Sequence, residues 1–274
     1  PPVYHPFAWV TTRNERTLVI NPLRWENGMY RMDLDAFREQ IKGCKLFILC
    51  NPHNPGGVVW TEAELRAIAD ICYDEKVLVF SDEIHADLTL PPHTHRPFAT
   101  VSEKARMNSV TFMSPSKAFN MPGLSASHAL IFNEDLRKRF RIYMDAGELD
   151  MGHVFAFLSV EAAYSHGTEW LDQCLAYIQG NIDFVDEFLK KHAPKIKAIR
   201  PEASYLVWLD CRELELSQKD LNEFFVDKAH LALNDGEMFG KEGIGFMRLN
   251  VASPRCIIEK AMKQLADAYQ LYIK

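Results

Sequence analysis

No apolar run in this chain approaches the length of a membrane span; the longest, "LFILC" and "VLVF", have the lengths of strands. Dense blocks of lysine and arginine are also missing, and 31 basic residues face 37 acidic ones for a formal charge of -6. That balance leaves no electrostatic footprint for nucleic acid or an anionic membrane. The six cysteines (Cys44, Cys50, Cys72, Cys174, Cys211 and Cys256) include no C-x-x-C pair. Most fall within apolar strand or helix patterns, which implies reduced, buried thiols and a cytoplasmic location. The ten histidines are dispersed, and "PPHTHRP", with His93 and His95, lacks further ligands at a sensible spacing. No metal is therefore expected. No G-x-G-x-x-G follows a strand, which argues against a nicotinamide-dependent dehydrogenase. The opening "PPVYHPF" has neither a basic n-region nor an apolar h-region, so it is no signal peptide and reads like the middle of a protein.

What is present is an ordinary globular composition, 47% hydrophobic and 25% charged, in a chain of 274 residues long enough for one large domain or two modest ones. Apolar runs alternate with helical patterns. "TLVI" (17–20), "KLFILC" (45–50), "VLVFS" (77–81), "SVTFM" (109–113) and "HALIF" (128–132) predict strands. Helices are predicted over 33–43, after Thr61, whose spacing to Glu64 makes a capping box, and around 134–145. Near-continuous apolar strands in strand–helix–strand order favour a mostly parallel sheet covered on both faces. Past residue 167 one long helix aligns Leu171, Leu175, Ile178, Ile182, Val185 and Leu189 on a single face. Strands at 197–200, 204–210 and 245–251, a helix starting at Ser217 and a last helix lining up Ile258, Met262, Leu265 and Tyr269 complete a smaller α+β unit. No repeat, low-complexity tract or flexible linker interrupts the chain.

Candidate chemical groups gather just past the ends of strands: Asn54, Asp82 and Lys117. Ligands in open α/β sheets bind at those ends. Taken alone, Lys117 in "SPSKAFN" reads as a solvated loop lysine, Ser114 and Ser116 as turn caps, Asp82 as a helix cap and Asn54 as a turn residue. Arg248 alone reads as a surface strand arginine and Tyr4 as unremarkable. The order and spacing of "NPHNPGG", "SDEIHADL", "SPSKAFN" and "FMRLN" carry more than any one of them. Together they resemble the fold type I pyridoxal-phosphate enzymes of the aspartate-aminotransferase superfamily, class I/II, and within it the MalY/PatB-type cystathionine β-lyase-like branch.

The resemblance implies a three-layer α/β large domain with a mostly parallel sheet and a smaller α+β C-terminal domain. It puts the large domain at 1–166, incomplete at its N-terminal end, and the small domain at 167–274. It implies pyridoxal 5'-phosphate as cofactor, with Lys117 as the Schiff-base lysine and the base at the substrate Cα. A desolvated lysine near a cationic ring loses its proton and becomes nucleophilic, which suits that role. Asp82 matches the carboxylate on the pyridine nitrogen, Asn54 the donor to the phenolic oxygen, and Ser114 and Ser116 the hydroxyls toward the phosphate. Tyr4 matches the aromatic residue that stacks on the ring, and Arg248 the clamp on the substrate α-carboxylate.

Two departures separate the chain from many aminotransferases. His85 stands where many have tyrosine, three residues past the aspartate, and Ser125 where many have arginine, eight past the lysine. Both tilt the expectation toward a carbon–sulfur β-lyase that cleaves L-cystathionine or a related cysteine S-conjugate to a thiol, pyruvate and ammonia. An aminotransferase on the same fold is the alternative, and a non-catalytic binding protein a third. The family's stretch before Tyr4 has no counterpart here, so a fragment of a longer enzyme, binding the cofactor poorly, is expected. A small amino-acid substrate and a homodimer follow from the resemblance; partners in nucleic acid or membrane do not.

Overall fold

The computed structural model describes residues 1–272. Ten strands follow in chain order: β1 (Arg24–Glu26), β2 (Met29–Arg31), β3 (Leu46–Cys50), β4 (Leu78–Asp82), β5 (Ser109–Met113), β6 (His128–Leu130), β7 (Lys197–Ile199), β8 (Leu206–Asp210), β9 (Asn234–Asp235) and β10 (Phe246–Asn250). They form a β1–β2 hairpin and two four-stranded sheets.

The chain divides into two compact units. One comprises Leu34–Pro52 and Val59–Cys174; the other Pro1–Asp33, His53–Val58 and Leu175–Lys274. The first unit is built on the sheet β3-β4-β5-β6. β3, β4 and β5 run parallel, and β6 closes one edge antiparallel to β5. This mostly parallel sheet is the α/β architecture the sequence predicts. Its strands are short and apolar because their neighbours on the sheet are buried too: Leu49, Val79 and Val110 are all in the core. Helix Glu62–Asp74 starts at the predicted capping box, with Thr61 Oγ1 accepting from Glu64 N and the Glu64 carboxylate accepting from Thr61 N. Leu65, Ile68, Ala69 and Cys72 then bury its apolar stripe.

The second unit is built on the antiparallel sheet β7-β8-β10-β9. β8 is its buried centre, and Trp208 stacks on Phe246 of β10 with ring centroids 5.3 Å apart. In the last helix, Arg255–Tyr272, the residues Ile258, Met262, Leu265 and Tyr269 are all buried, as the spacing predicts.

One expectation differs from the structure. "TLVI" is not a strand. Leu18, Val19 and Ile20 are 38–50% exposed, and the segment has no ladder partner among the described residues, so its β propensity has nothing to act on. Residues 1–33 and 53–58 group with the C-terminal part because specific bonds tie them there. Val3 N donates to Phe239 O, His53 Nε2 to Pro2 O and Glu202 N to Gly57 O, each at 2.8–2.9 Å. Gly57 sits at φ +67°, and a Cβ there would lie 2.5 Å from Pro201 Cβ, so this crossing needs glycine.

Candidate active site

The site residues predicted from sequence fall into two sets, one in each unit. In the parallel-sheet unit, Asp82 is the last residue of β4, paired with Cys50 of β3 on one side and Phe112 of β5 on the other. A carboxylate placed there stands at the C-terminal edge of three parallel strands, where α/β sheets bind ligands. Its Oδ1 accepts from Ile84 N at 3.2 Å. Burial pushes the Asp82 carboxyl above its ordinary value; the Ile84 N–H pulls it down, the Glu83 charge raises it and Lys117 lowers it. A half-buried carboxylate in this state gains from a nearby protonated nitrogen.

Lys117 lies on the short helix Pro115–Ala118, which begins immediately after β5. Among the described residues its Nζ has no hydrogen bond or ion pair, and Asp82 is a charge that feels it. Ser114 caps that helix: its Oγ accepts from Ser116 N at 3.0 Å and donates to Ala126 O at 2.5 Å. Ser116 Oγ also points to Ala126 O, at 3.3 Å. The capping reading of Ser114 therefore holds in the fold, and Ser116 has the weaker tie of the two. His85 is buried and precedes a single 3-10 turn, Ala86–Leu88. Ser125 occupies the left-handed region at φ 49°.

In the antiparallel-sheet unit, Arg248 projects from β10. Its Nη1 donates to Asn54 Oδ1 and its Nη2 to Asn234 Oδ1, both at 2.8 Å, and its guanidinium lies 4.6 Å from the Phe239 ring centroid. No carboxylate pairs with it among the described residues, and its Nε is buried without a hydrogen-bond partner there. Burial is the main influence on Arg248 and lowers its pKa, while Tyr205 and Tyr4 act in the opposite direction. A half-buried cation held by two neutral amides is set to receive an anion. Tyr4 is 39% exposed, edge-on to Phe7 at 5.5 Å. His5 is held below its ordinary pKa, first by burial and then by Arg248.

Asn234 and Phe239 escaped the sequence reading. Asn234 opposes Arg248 in the β9–β10 register, so only strand pairing reveals it. "ALNDGEMFG" looks in one dimension like a turn. A buried network around Glu83, with Ser81, His95 and Phe98, was missed as well.

The residues present fit pyridoxal phosphate by their chemistry: an acceptor carboxylate whose burial favours a protonated partner, an unpaired lysine on the same sheet edge, and an arginine without a counter-anion. No group of three or more potential metal ligands occurs among the described residues, and no described helix is long and apolar enough to cross a membrane.

Residues 1–265 match the family "Aminotransferase class I and II". The chain belongs to that family. It is 38% identical to cystathionine β-lyase PatB of Bacillus subtilis (strain 168) over 270 residues, covering 98% of this chain and 70% of the relative. Protein MalY of Escherichia coli (strain K12) is 32% identical over 270 residues, with 97% and 68% covered. The structure of cystalysin from Treponema denticola, which contains a pyridoxal 5'-phosphate cofactor, superposes with a TM-score of 0.96 at 34% identity, over 100% of this chain and 70% of that one. Within the family the chain lies in the MalY/PatB branch.

Proposed function

We propose that this protein is a pyridoxal-phosphate-dependent carbon–sulfur β-lyase that cleaves L-cystathionine or a related cysteine S-conjugate to a thiol, pyruvate and ammonia. The observation that carries this is that, in a chain 38% identical to a cystathionine β-lyase, Lys117 has no ion pair but acts on the Asp82 charge, and Arg248 has no counter-anion among the described residues. His85 and Ser125, in place of the tyrosine and arginine common in aminotransferases, favour elimination.

When bound, the cofactor supplies an electron sink for negative charge at the substrate Cα. The chain's own residues do the rest. Arg248 takes the substrate α-carboxylate on its planar fork, with Asn54 and Asn234 fixing the guanidinium. Lys117 Nζ removes the Cα proton as general base; its freedom from ion pairs leaves the amine lone pair accessible once deprotonated. Asp82 would hold the protonated pyridine nitrogen. With its Oδ1 engaged by Arg248, Asn54 would hold the phenolic oxygen through its amide N–H. Ser116, the more loosely tied hydroxyl, and Ser114 would hold the phosphate, and Tyr4 and His85 would contribute to holding the ring. A homodimer and a cytoplasmic location go with the same reading.

Titrating pyridoxal phosphate into the protein, and following the absorbance of the bound cofactor, tests the cofactor assignment. A saturable band that is absent in Lys117→Ala is the expected result. An equal band in both proteins would remove Lys117 from the role.

A further inference from the structure

Glu83 follows Asp82 in the chain and has no part in the roles above. It is 1% exposed, a carboxylate buried at the end of a sheet. Its Oε1 accepts from Ser81 Oγ at 2.8 Å and from Phe98 N at 2.8 Å. Its Oε2 lies 2.7 Å from Nε2 of His95, whose side chain is only 9% exposed. The Nδ1 of His95 is buried and has no hydrogen-bond partner among the described residues.

Two donors on Oε1 fix that oxygen as an acceptor, so any proton held by the pair sits at His95 or in the Oε2···Nε2 contact. Glu83 N donates to Phe112 O of β5, which places Asp82 and Glu83 as consecutive carboxylates on one buried strand end. Lys117 faces Asp82 from the helix after β5. Arg96, beside His95 in the chain, turns instead toward Glu62 at 3.9 Å. An uncompensated second negative charge here disfavours an ionised Asp82, the form needed to hold a protonated ring nitrogen.

We propose that Glu83 and His95 share one extra proton as a neutral buried pair, and that this pair keeps Asp82 in its ionised, cofactor-binding form. His95 is then a positioning residue that acts on the cofactor site through Glu83. The proposal rests on the assignment of Asp82 made above. A purely structural tie between the 91–98 loop and β4 would use the same hydrogen bonds but would not depend on charge.

The pair is tested first without cofactor. In the wild-type protein at neutral pH, the nitrogen-15 shifts of the His95 ring and the carbon-13 shift of the Glu83 carboxyl together count the protons on the pair. Two protons are expected; one, which leaves a net negative charge, overturns the proposal. The affinity for pyridoxal phosphate at neutral pH is then compared for His95→Gln, Glu83→Gln and the double variant. His95→Gln keeps a donor for Glu83 but cannot hold the proton, and it is expected to weaken binding. The double variant, which removes the buried charge, is expected to bind nearly as well as wild type. A double variant as weak as, or weaker than, His95→Gln overturns the proposal in favour of the structural tie. Should His95→Gln fail to fold, the proton count on the wild type decides alone. Failure of the Asp82 assignment looks different: Asp82→Asn would bind the cofactor as tightly as wild type, whatever the proton count on the pair.

Discussion

Arg248 donates from Nη1 to Asn54 Oδ1 at 2.8 Å, joining residues 194 positions apart in the chain. The bond orients Asn54 with its acceptor toward Arg248, so the amide N–H is what it offers elsewhere. It also completes a fork: the other end of the guanidinium is held by Asn234 at 2.8 Å. A planar group pinned at both Nη atoms is pre-oriented for a carboxylate.

Arg248→Lys therefore loses the fork while keeping the charge. Two charge-assisted hydrogen bonds, at about 1.5 kcal/mol each, correspond to a fall in kcat/KM of about 10²-fold. Steady-state kinetics on L-cystathionine check it, and a variant within about threefold of wild type would remove Arg248 from substrate binding.

Asp82→Asn is expected to move stability and cofactor binding in opposite directions. Burial raises the Asp82 carboxyl above its unfolded value, so the folded chain binds more protons than the unfolded one between those two values. Stability is thus lost as pH rises through the folded value and regained as pH falls toward the ordinary aspartate range. Without cofactor, Asp82→Asn is expected to melt higher than wild type at pH 7, with the gain shrinking in acid, while its affinity for pyridoxal phosphate falls. Melting scans against pH, with and without cofactor, measure both.

His53 gives an acid-sensitive point in the other unit. Burial holds it down to about 3 from 6.5, and the Pro2 carbonyl, accepting from Nε2, works the other way. A histidine buried neutral must charge on unfolding, so stability is lost as pH falls from about 6.5 toward 3. His53→Gln is expected to flatten the pH dependence of the denaturant midpoint across that window. An unchanged slope would contradict the buried, neutral state.

The two serines of "SPSKAFN" are expected to separate. Ser114→Ala removes the cap of helix Pro115–Ala118 and its bond to Ala126 O, costing about 1 kcal/mol of stability in denaturant melts. Ser116→Ala, whose hydroxyl bond to Ala126 O is 3.3 Å, is expected to leave stability nearly unchanged and to weaken cofactor binding. The reverse pattern would exchange their roles.

How much of this was legible in the sequence follows from the range of each interaction. The capping box at Thr61 and Glu64 spans three residues and was readable directly. So were β5, whose bounds at 109–113 coincide with "SVTFM", and the buried stripe of the last helix. "TLVI" misled because a strand needs a partner, and its three apolar residues meet none among those described. Asp82, Lys117, Asn54 and Arg248 were legible as motifs. Asn234 was not, because it reaches Arg248 by the register of two antiparallel strands. The Glu83–His95 contact was missed for a related reason: a loop twelve residues on folds back to the strand end, and "PPHTHRP" carries no mark of that return. Nor did composition show that residues 1–33 group with the C-terminal half, since backbone bonds to Phe239 and a histidine bond to Pro2 decide it.

The most direct measurement is product analysis on L-cystathionine with pyridoxal phosphate, for wild type and Lys117→Ala. Pyruvate, ammonia and a free thiol in equal amounts, all lost in Lys117→Ala, are the predicted result. A keto acid retaining the whole side chain with no thiol released, or undiminished turnover in Lys117→Ala, would contradict a Lys117-driven carbon–sulfur lyase.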